Sequence, residues 1–241
     1  MWMNHVRKAG GATLGLTLLL CLPHPSVLEK ASARTATQAD GESPPQAAGK
    51  SQRPTSTPYV GDLSIFEYPD RDQKLHVDRV MDLLEIVPGK VVADIGAGSG
   101  WFTARASAKV GAAGLVYAED INPEAIDYIA KRAARDKLEN VRTVLGTVDD
   151  TKLPPGSVDA VLILKTYHEM ARPIPLMQKL RRSLRPGAKI GIIDRNGDGT
   201  NHGVMPEVVE REMAQAGFRR IGKYDFTKDD GQDYFLIFVV K

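Results

Sequence analysis

The sequence predicts an α/β domain with a doubly wound, mostly parallel, seven-stranded sheet and an antiparallel final strand. Short runs of apolar and β-branched residues alternate with segments of helical periodicity, which is typical of a parallel sheet covered by helices on both faces. A glycine-rich turn follows the first run, and a turn typical of hairpins lies between the last two. Together these patterns predict a single domain over residues 59–241.

The elements follow one another in regular order along this domain. Strands are predicted at residues 90–96, 114–119, 141–146, 157–164, 188–194, 219–227 and 233–240. Helices are predicted at residues 73–86, 101–110, 123–136, 173–185 and 205–216. Pro-Gly pairs at 88–89 and 186–187 separate helices from the strands that follow, and Lys-Asp-Asp-Gly at 228–231 predicts the hairpin turn.

The turn after the first strand contains Gly96, Gly98 and Gly100, and a helix follows at once. Glycines lack a Cβ atom, so we expect a ligand to lie against the main chain at this turn, near the helix N-terminus. A dinucleotide site requires the spacing G-x-G-x-x-G, but Trp101 occupies the position of the third glycine. An NAD-dependent oxidoreductase is therefore the weaker interpretation.

The whole string Val-Val-Ala-Asp-Ile-Gly-Ala-Gly-Ser-Gly at 91–100 resembles motif I of class I S-adenosylmethionine (SAM)-dependent methyltransferases of the type 11 kind. The resemblance implies a Rossmann-like fold, SAM as the cofactor and a small-molecule methyl acceptor. It also implies cofactor contacts from this turn and from the end of the second strand, at Asp94, Gly96, Ala97, Gly98, Gly100, Asp120 and Ile121.

The second strand ends in two acids, Glu119 and Asp120. In the family that this chain resembles, an acid at this point binds both ribose hydroxyls of the cofactor, which suits a carboxylate because it only accepts hydrogen bonds. Alignment of the motif assigns the role to Asp120, with Glu119 as the alternative. Asn122 and Pro123 are also typical of the beginning of a helix.

A third segment resembles the stretch in which the family recognises adenine, but it departs from the family's pattern. Thr147 stands where the usual aspartate would be, so the contact with the adenine amino group is expected from Asp149 or from the backbone of Val148. We assign it to Asp149. A surface loop is the structural alternative for this side chain.

Polar residues follow the buried run at 161–164, at the edge where ligands of doubly wound sheets collect. Related methyltransferases carry an aromatic–histidine pair here, which implies catalytic roles for Tyr167 and His168. An aromatic ring suits the positively charged sulfonium, and a histidine can accept a proton from an acceptor hydroxyl. Asp194, at the end of the fifth strand, and the polar loop 197–203 are predicted to lie at the same edge. The histidines show no metal-ligand spacing, so no metal is predicted.

The N-terminal region carries a separate pattern. Arg7 and Lys8 precede an uncharged, leucine-rich stretch at 9–22, and the small residues at 31–33 are typical of a signal-peptide cleavage site. Residues 1–33 are therefore predicted to be a signal peptide. Residues 34–58 contain no large apolar residue and several prolines, which predicts a disordered linker.

These features predict a periplasmic or secreted protein, with a cytoplasmic or inner-membrane-anchored protein as the alternative. Membrane contact is expected only through an uncleaved N-terminal segment. The balance of 32 basic and 30 acidic residues gives no electrostatic reason to expect nucleic acid as a partner. Because the single cysteine, Cys21, lies outside the domain, disulfides and a cysteine nucleophile are excluded there. An exported, non-catalytic binding protein with the same fold is the alternative to an enzyme.

Overall fold

The computed structural model describes residues 54–241. The predicted signal peptide and most of the predicted linker lie outside these residues. Ser56, at the end of that linker, is only 4% exposed, and its hydroxyl donates a hydrogen bond to the Gly199 carbonyl at 3.2 Å. Ser56 of the predicted linker is therefore held against the loop that contains Gly199.

The seven strands form one sheet, with bounds β1 Val91–Ile95, β2 Leu115–Asp120, β3 Val141–Leu145, β4 Val158–Leu164, β5 Leu184–Asp194, β6 Phe218–Tyr224 and β7 Tyr234–Val240. Their order across the sheet is β3-β2-β1-β4-β5-β7-β6. The pairs from β3 to β5 are parallel, and β7 runs antiparallel to both of its neighbours. The predicted fold class is confirmed, including the antiparallel final strand.

The α-helices cover both faces, with bounds α1 Arg71–Leu75, α2 Val77–Leu83, α3 Trp101–Val110, α4 Pro123–Arg135, α5 Pro173–Leu180 and α6 Pro206–Gln215. Asn122 begins α4 as predicted, since its side chain accepts a hydrogen bond from the Glu124 N–H at 2.9 Å. In the described residues, no helix is both long and apolar enough to cross a membrane.

The helix predicted at 173–185 ends at Leu180, and the strand predicted at 219–227 ends at Tyr224. Two further elements differ from their predicted bounds. The single helix predicted at 73–86 is two helices, because His76 adopts a left-handed conformation with φ of 53° and interrupts the helical hydrogen bonding. Strand β5 begins at Leu184 rather than at 188, because Val158 pairs with Leu184 before the ladder shifts register. Neither difference moves the carboxyl ends of the strands, where the ligand site was predicted.

Candidate functional site

A cavity of about 360 Å³ opens at the carboxyl ends of β1, β2 and β4. The turn after β1 and the end of β2 form one wall, and the residues after β4 form another. The chain before α1 contributes a third wall through Leu63 and Phe66. This is the edge at which ligands of open α/β sheets bind, and the volume lies within the range of small-molecule sites.

The three glycines of the turn serve different purposes. A Cβ atom on Gly96 would collide with the side chain of Thr166, and one on Gly100 would lie 3.2 Å from Ile129. A Cβ on Gly98 would meet only Phe66, at 3.9 Å. All three have positive φ, but Gly96 and Gly98 line the cavity and Gly100 does not. The prediction that each glycine makes room for a ligand is therefore corrected: Gly100 makes room for helix α4.

Asp94 lies beneath this turn and is only 2% exposed. Its carboxylate accepts a hydrogen bond from the Thr103 hydroxyl at 2.6 Å. Burial is the main cause that raises the pKa of Asp94 to about 7; the Thr103 hydrogen bond opposes this rise, and the negative charge of Asp120 adds to it. Asp94 thus joins β1 to α3 and, like Ala97, also lines the cavity.

Asp120 and Glu119 both line the cavity at the end of β2, as does Ile121. The two carboxylate oxygens of Asp120 accept backbone hydrogen bonds from Gly98 and Asn122, each at 2.9 Å. Burial raises the pKa of Asp120, and burial followed by the charge of Asp120 holds the pKa of Glu119 well above its usual value. The geometry brings the preferred ribose-binding acid and its alternative to the same wall.

Asp149 does not lie where the sequence predicted it. Its carboxylate pairs with Arg172 at 2.8 Å and with Lys179 at 3.5 Å, and it is absent from the cavity wall. Thr147 and Val148 line the cavity instead. The assignment of an adenine contact to Asp149 is therefore corrected, since the two cations hold its carboxylate in surface ion pairs. The alternative, in which the Val148 backbone meets the ring, is compatible with this wall.

Tyr167 and His168 belong to a 3₁₀ turn directly after β4. Tyr167 is completely buried in the hydrophobic core and does not line the cavity, so its predicted contact with a sulfonium is corrected. His168 is only 3% exposed and lies behind the cavity wall. Its Nδ1 is 2.8 Å from a carboxylate oxygen of Asp194, which is buried at the end of β5. Asp194 therefore sets the orientation of the imidazole.

Three charged residues on the cavity wall had no role assigned from the sequence: Arg71, and Lys165 and Glu169, which were expected only to lie at this edge. Burial raises the pKa of Glu169 to about 7, and burial lowers the pKa of Lys165 and of Arg71. The Arg71 guanidinium lies over the Trp101 ring, 4.2 Å from its centroid. Glu169 and Lys165 flank the predicted pair in the sequence, but only the 3₁₀ turn decides which side chains face the cavity.

Residues 92–187 match the family model of the methyltransferase domain. An uncharacterized methyltransferase of Mycobacterium tuberculosis (strain ATCC 25618 / H37Rv) is 35% identical over 127 residues, covering 52% of this chain and 47% of the relative. Nocamycin O-methyltransferase of Saccharothrix syringae is 31% identical over 114 residues, covering 47% of this chain and 41% of the relative. The chain thus spans about half the length, or less, of these curated relatives.

Solved structures show the same fold. A SAM-dependent methyltransferase from Aquifex aeolicus has a TM-score of 0.68 at 23% identity, covering 74% of this chain and 97% of that one. The 1,6-didemethyltoxoflavin-N1-methyltransferase of Burkholderia thailandensis, solved with bound 1,6-didemethyltoxoflavin and S-adenosylhomocysteine, has a TM-score of 0.56 at 19% identity, covering 79% and 96%. At these identities the two structures show that the fold is shared.

Proposed function

We propose that this protein is a SAM-dependent methyltransferase that transfers a methyl group to a small-molecule acceptor. The observation that carries the proposal is the cavity wall made by Gly98 and Asp120. The Gly98 N–H donates to Asp120 at 2.9 Å, so the glycine turn and the acid at the end of β2 form one rigid unit. The match of residues 92–187 to the methyltransferase domain supports this assignment.

The residues present fit the cofactor chemically. Each oxygen of the Asp120 carboxylate accepts one backbone N–H, and a carboxylate oxygen has capacity for a second donor, which suits a vicinal diol. Asp94, Glu119 and Asp120 place three carboxyl groups at one end of the cavity, where they offer hydrogen-bond acceptors to the donors of a ligand. When bound, SAM supplies a methyl group that is activated by a positively charged sulfur.

The acceptor is proposed to bind near Glu169, at the wall formed by the residues after β4. The protein's main contribution is to hold the acceptor in line with the methyl group, since good alignment can supply up to about 7–11 kcal/mol of the barrier. For an acceptor that carries a proton, we assign proton removal to His168, whose Nε2 lies 3.7 Å from Glu169. Asp194 acts through His168, as a positioning residue.

The N-terminal pattern supports a second, separable proposal, that the protein is exported. Arg7 and Lys8, the uncharged stretch 9–22 and the small residues at 31–33 carry it. An exported enzyme requires a supply of SAM outside the cytosol. Location and activity are therefore tested by different experiments.

Isothermal titration of the purified full-length chain with SAM, S-adenosylhomocysteine and NAD tests the proposed function. We expect saturable binding of SAM and S-adenosylhomocysteine and none of NAD. Preference for NAD would favour the oxidoreductase. Absence of binding by all three ligands in a folded protein would favour a non-catalytic binding protein.

A further inference from the structure

Three potential metal ligands meet beside the cavity although they come from two distant parts of the chain. His168 and Glu169 lie in the 3₁₀ turn after β4, and His202 lies in the loop between β5 and α6. One ligand atom from each residue lies within 4.8 Å of the others. His168 is buried, Glu169 is half-buried and His202 is exposed, so the group reaches from the interior to the surface.

The buried carboxylate of Asp194 fixes the imidazole of His168. The Nδ1 atom lies 2.8 Å and 3.0 Å from the two Asp194 oxygens, and the His168 backbone N–H donates to the same carboxylate at 3.1 Å. Since an ionised carboxylate only accepts hydrogen bonds, Nδ1 carries the proton, and in the neutral ring the lone pair is on Nε2. Nε2 lies on the side of Glu169, 3.7 Å from Oε1. A carboxylate behind a histidine in this way is the usual support of a metal ligand.

The loop that carries His202 is held in place from both sides. The His202 N–H donates to the Ser56 hydroxyl at 2.8 Å, and its carbonyl accepts from Arg195 Nε at 2.7 Å. The two imidazole rings are 5.7 Å apart between centroids and nearly perpendicular, at 86°. The second imidazole is therefore presented next to the first by fixed backbone contacts.

We propose that His168, Glu169 and His202 bind a divalent transition-metal ion of the Zn²⁺ class. Two imidazoles and one carboxylate are one of the donor sets of catalytic zinc sites, which keep a further position for an exchangeable ligand. Imidazole ligands favour transition metals over Mg²⁺ and Ca²⁺. The sequence did not predict this group because the three residues lack metal-ligand spacing, and the fold alone brings His202 next to the other two.

The site does not depend on the proposed methyl transfer, but it bears on it. Glu169 also lines the cavity, so an acceptor hydroxyl bound to the ion would lose its proton more readily. If the ion is bound, Nε2 of His168 would be one of its ligands and the acceptor's proton would pass to water. Proton removal by the His168 imidazole is therefore assigned to the metal-free protein.

The test compares metal binding by the full-length chain with that of two matched variants. His202→Asn removes one ligand, and His76→Asn is its control, because both histidines are exposed and have similar positive φ, 58° and 53°. Asparagine tolerates this backbone conformation. Metal-stripped proteins are titrated with Zn²⁺ by calorimetry and with Co²⁺ by visible absorption, and thermal unfolding checks that each is folded.

We expect the wild type and His76→Asn to bind one Zn²⁺ alike, and His202→Asn to bind it at least about 10-fold more weakly, with altered Co²⁺ absorption. Glu169→Gln should weaken binding in the same way. Residues His5, Cys21 and His24 are present in every variant, so metal bound there does not change the comparison. Equal Zn²⁺ affinity and unchanged Co²⁺ absorption in His202→Asn would overturn the proposal, whatever the result of the SAM titration.

Discussion

Replacing Asp120 with asparagine should weaken SAM binding by roughly 10- to 150-fold. Asp120 is proposed to accept hydrogen bonds from the cofactor's ribose while its oxygens hold the Gly98 and Asn122 N–H groups at 2.9 Å. Asparagine keeps one acceptor oxygen and loses the charge. A lost hydrogen bond to a charged group is worth about 1.5–3 kcal/mol, which corresponds to this range of dissociation constants.

The assay is isothermal titration with SAM and S-adenosylhomocysteine, with Asp149→Asn as the matched control. Asp149 undergoes the same chemical change, but its carboxylate is engaged by Arg172 and lies off the cavity wall, so its variant should bind like the wild type. Thermal unfolding verifies that both variants are folded. Unchanged affinity in Asp120→Asn would refute the reasoning. A loss in Glu119→Gln alone would move the ribose contact to Glu119.

Four further predictions follow from the site and from the N-terminal pattern. Gly98→Val should abolish SAM binding. Gly156→Val should not, because Gly156 has a φ similar to that of Gly98 (57° against 53°) but open space around it. Equal SAM affinity in both folded variants would contradict the cavity assignment. For Asp94→Asn, the melting temperature of the variant minus that of the wild type should increase as the pH rises from about 4 to 7. The reason is that the folded-state pKa of Asp94, about 7, lies above the unfolded value, so the wild type loses stability as pH rises through that window. A constant difference from pH 4 to 8 would argue against the raised pKa of Asp94. His168→Ala should lower turnover of a protic acceptor about 10²-fold with SAM affinity retained. Full activity in this variant would mean that catalysis comes from alignment of the acceptor and the methyl group alone. N-terminal sequencing of the native protein should find a mature chain that begins at Arg34; an intact Met1 would exclude cleavage.

The fold could be predicted because its strands are unambiguous in sequence. Buried strands such as β1 and β4 are continuous apolar runs, and the turn at 228–231 marks the antiparallel end of the sheet. What sequence could not supply was local backbone conformation. The left-handed residue at His76 divides a segment whose apolar periodicity continues across the break, so that periodicity alone predicted a single helix.

In the candidate site, too, the positions set by strands could be predicted, whereas those set by local backbone conformation could not. Asp94, Gly98 and Asp120 line the cavity because they directly follow or end parallel strands, whose carboxyl ends must meet; their contacts with a cofactor stay a prediction. Tyr167 and Glu169 were not distinguished, because a 3₁₀ turn decides which of them is buried. The contact between His168 and His202 depends on the path of the loop that carries His202, and no periodicity in the sequence predicts that path.

The position of β7 between β5 and β6 has a consequence for the order in which the chain folds. Within residues 54–241, strand β6 pairs with β7 alone, so β6 cannot join the sheet until residues 234–240 have been synthesised. Phe235 and Ile237 pack on one face, and Leu236 and Phe238 on the other. A nascent chain that ends before Tyr234 therefore leaves apolar surface uncovered on both faces. Strands β6 and β7 form a local hairpin, whereas β5 and β7 pair residues that are 40 to 48 positions apart, from Asp194–Tyr234 to Ile190–Phe238. Addition of the hairpin to β5 is therefore expected to be a late and slow step of folding.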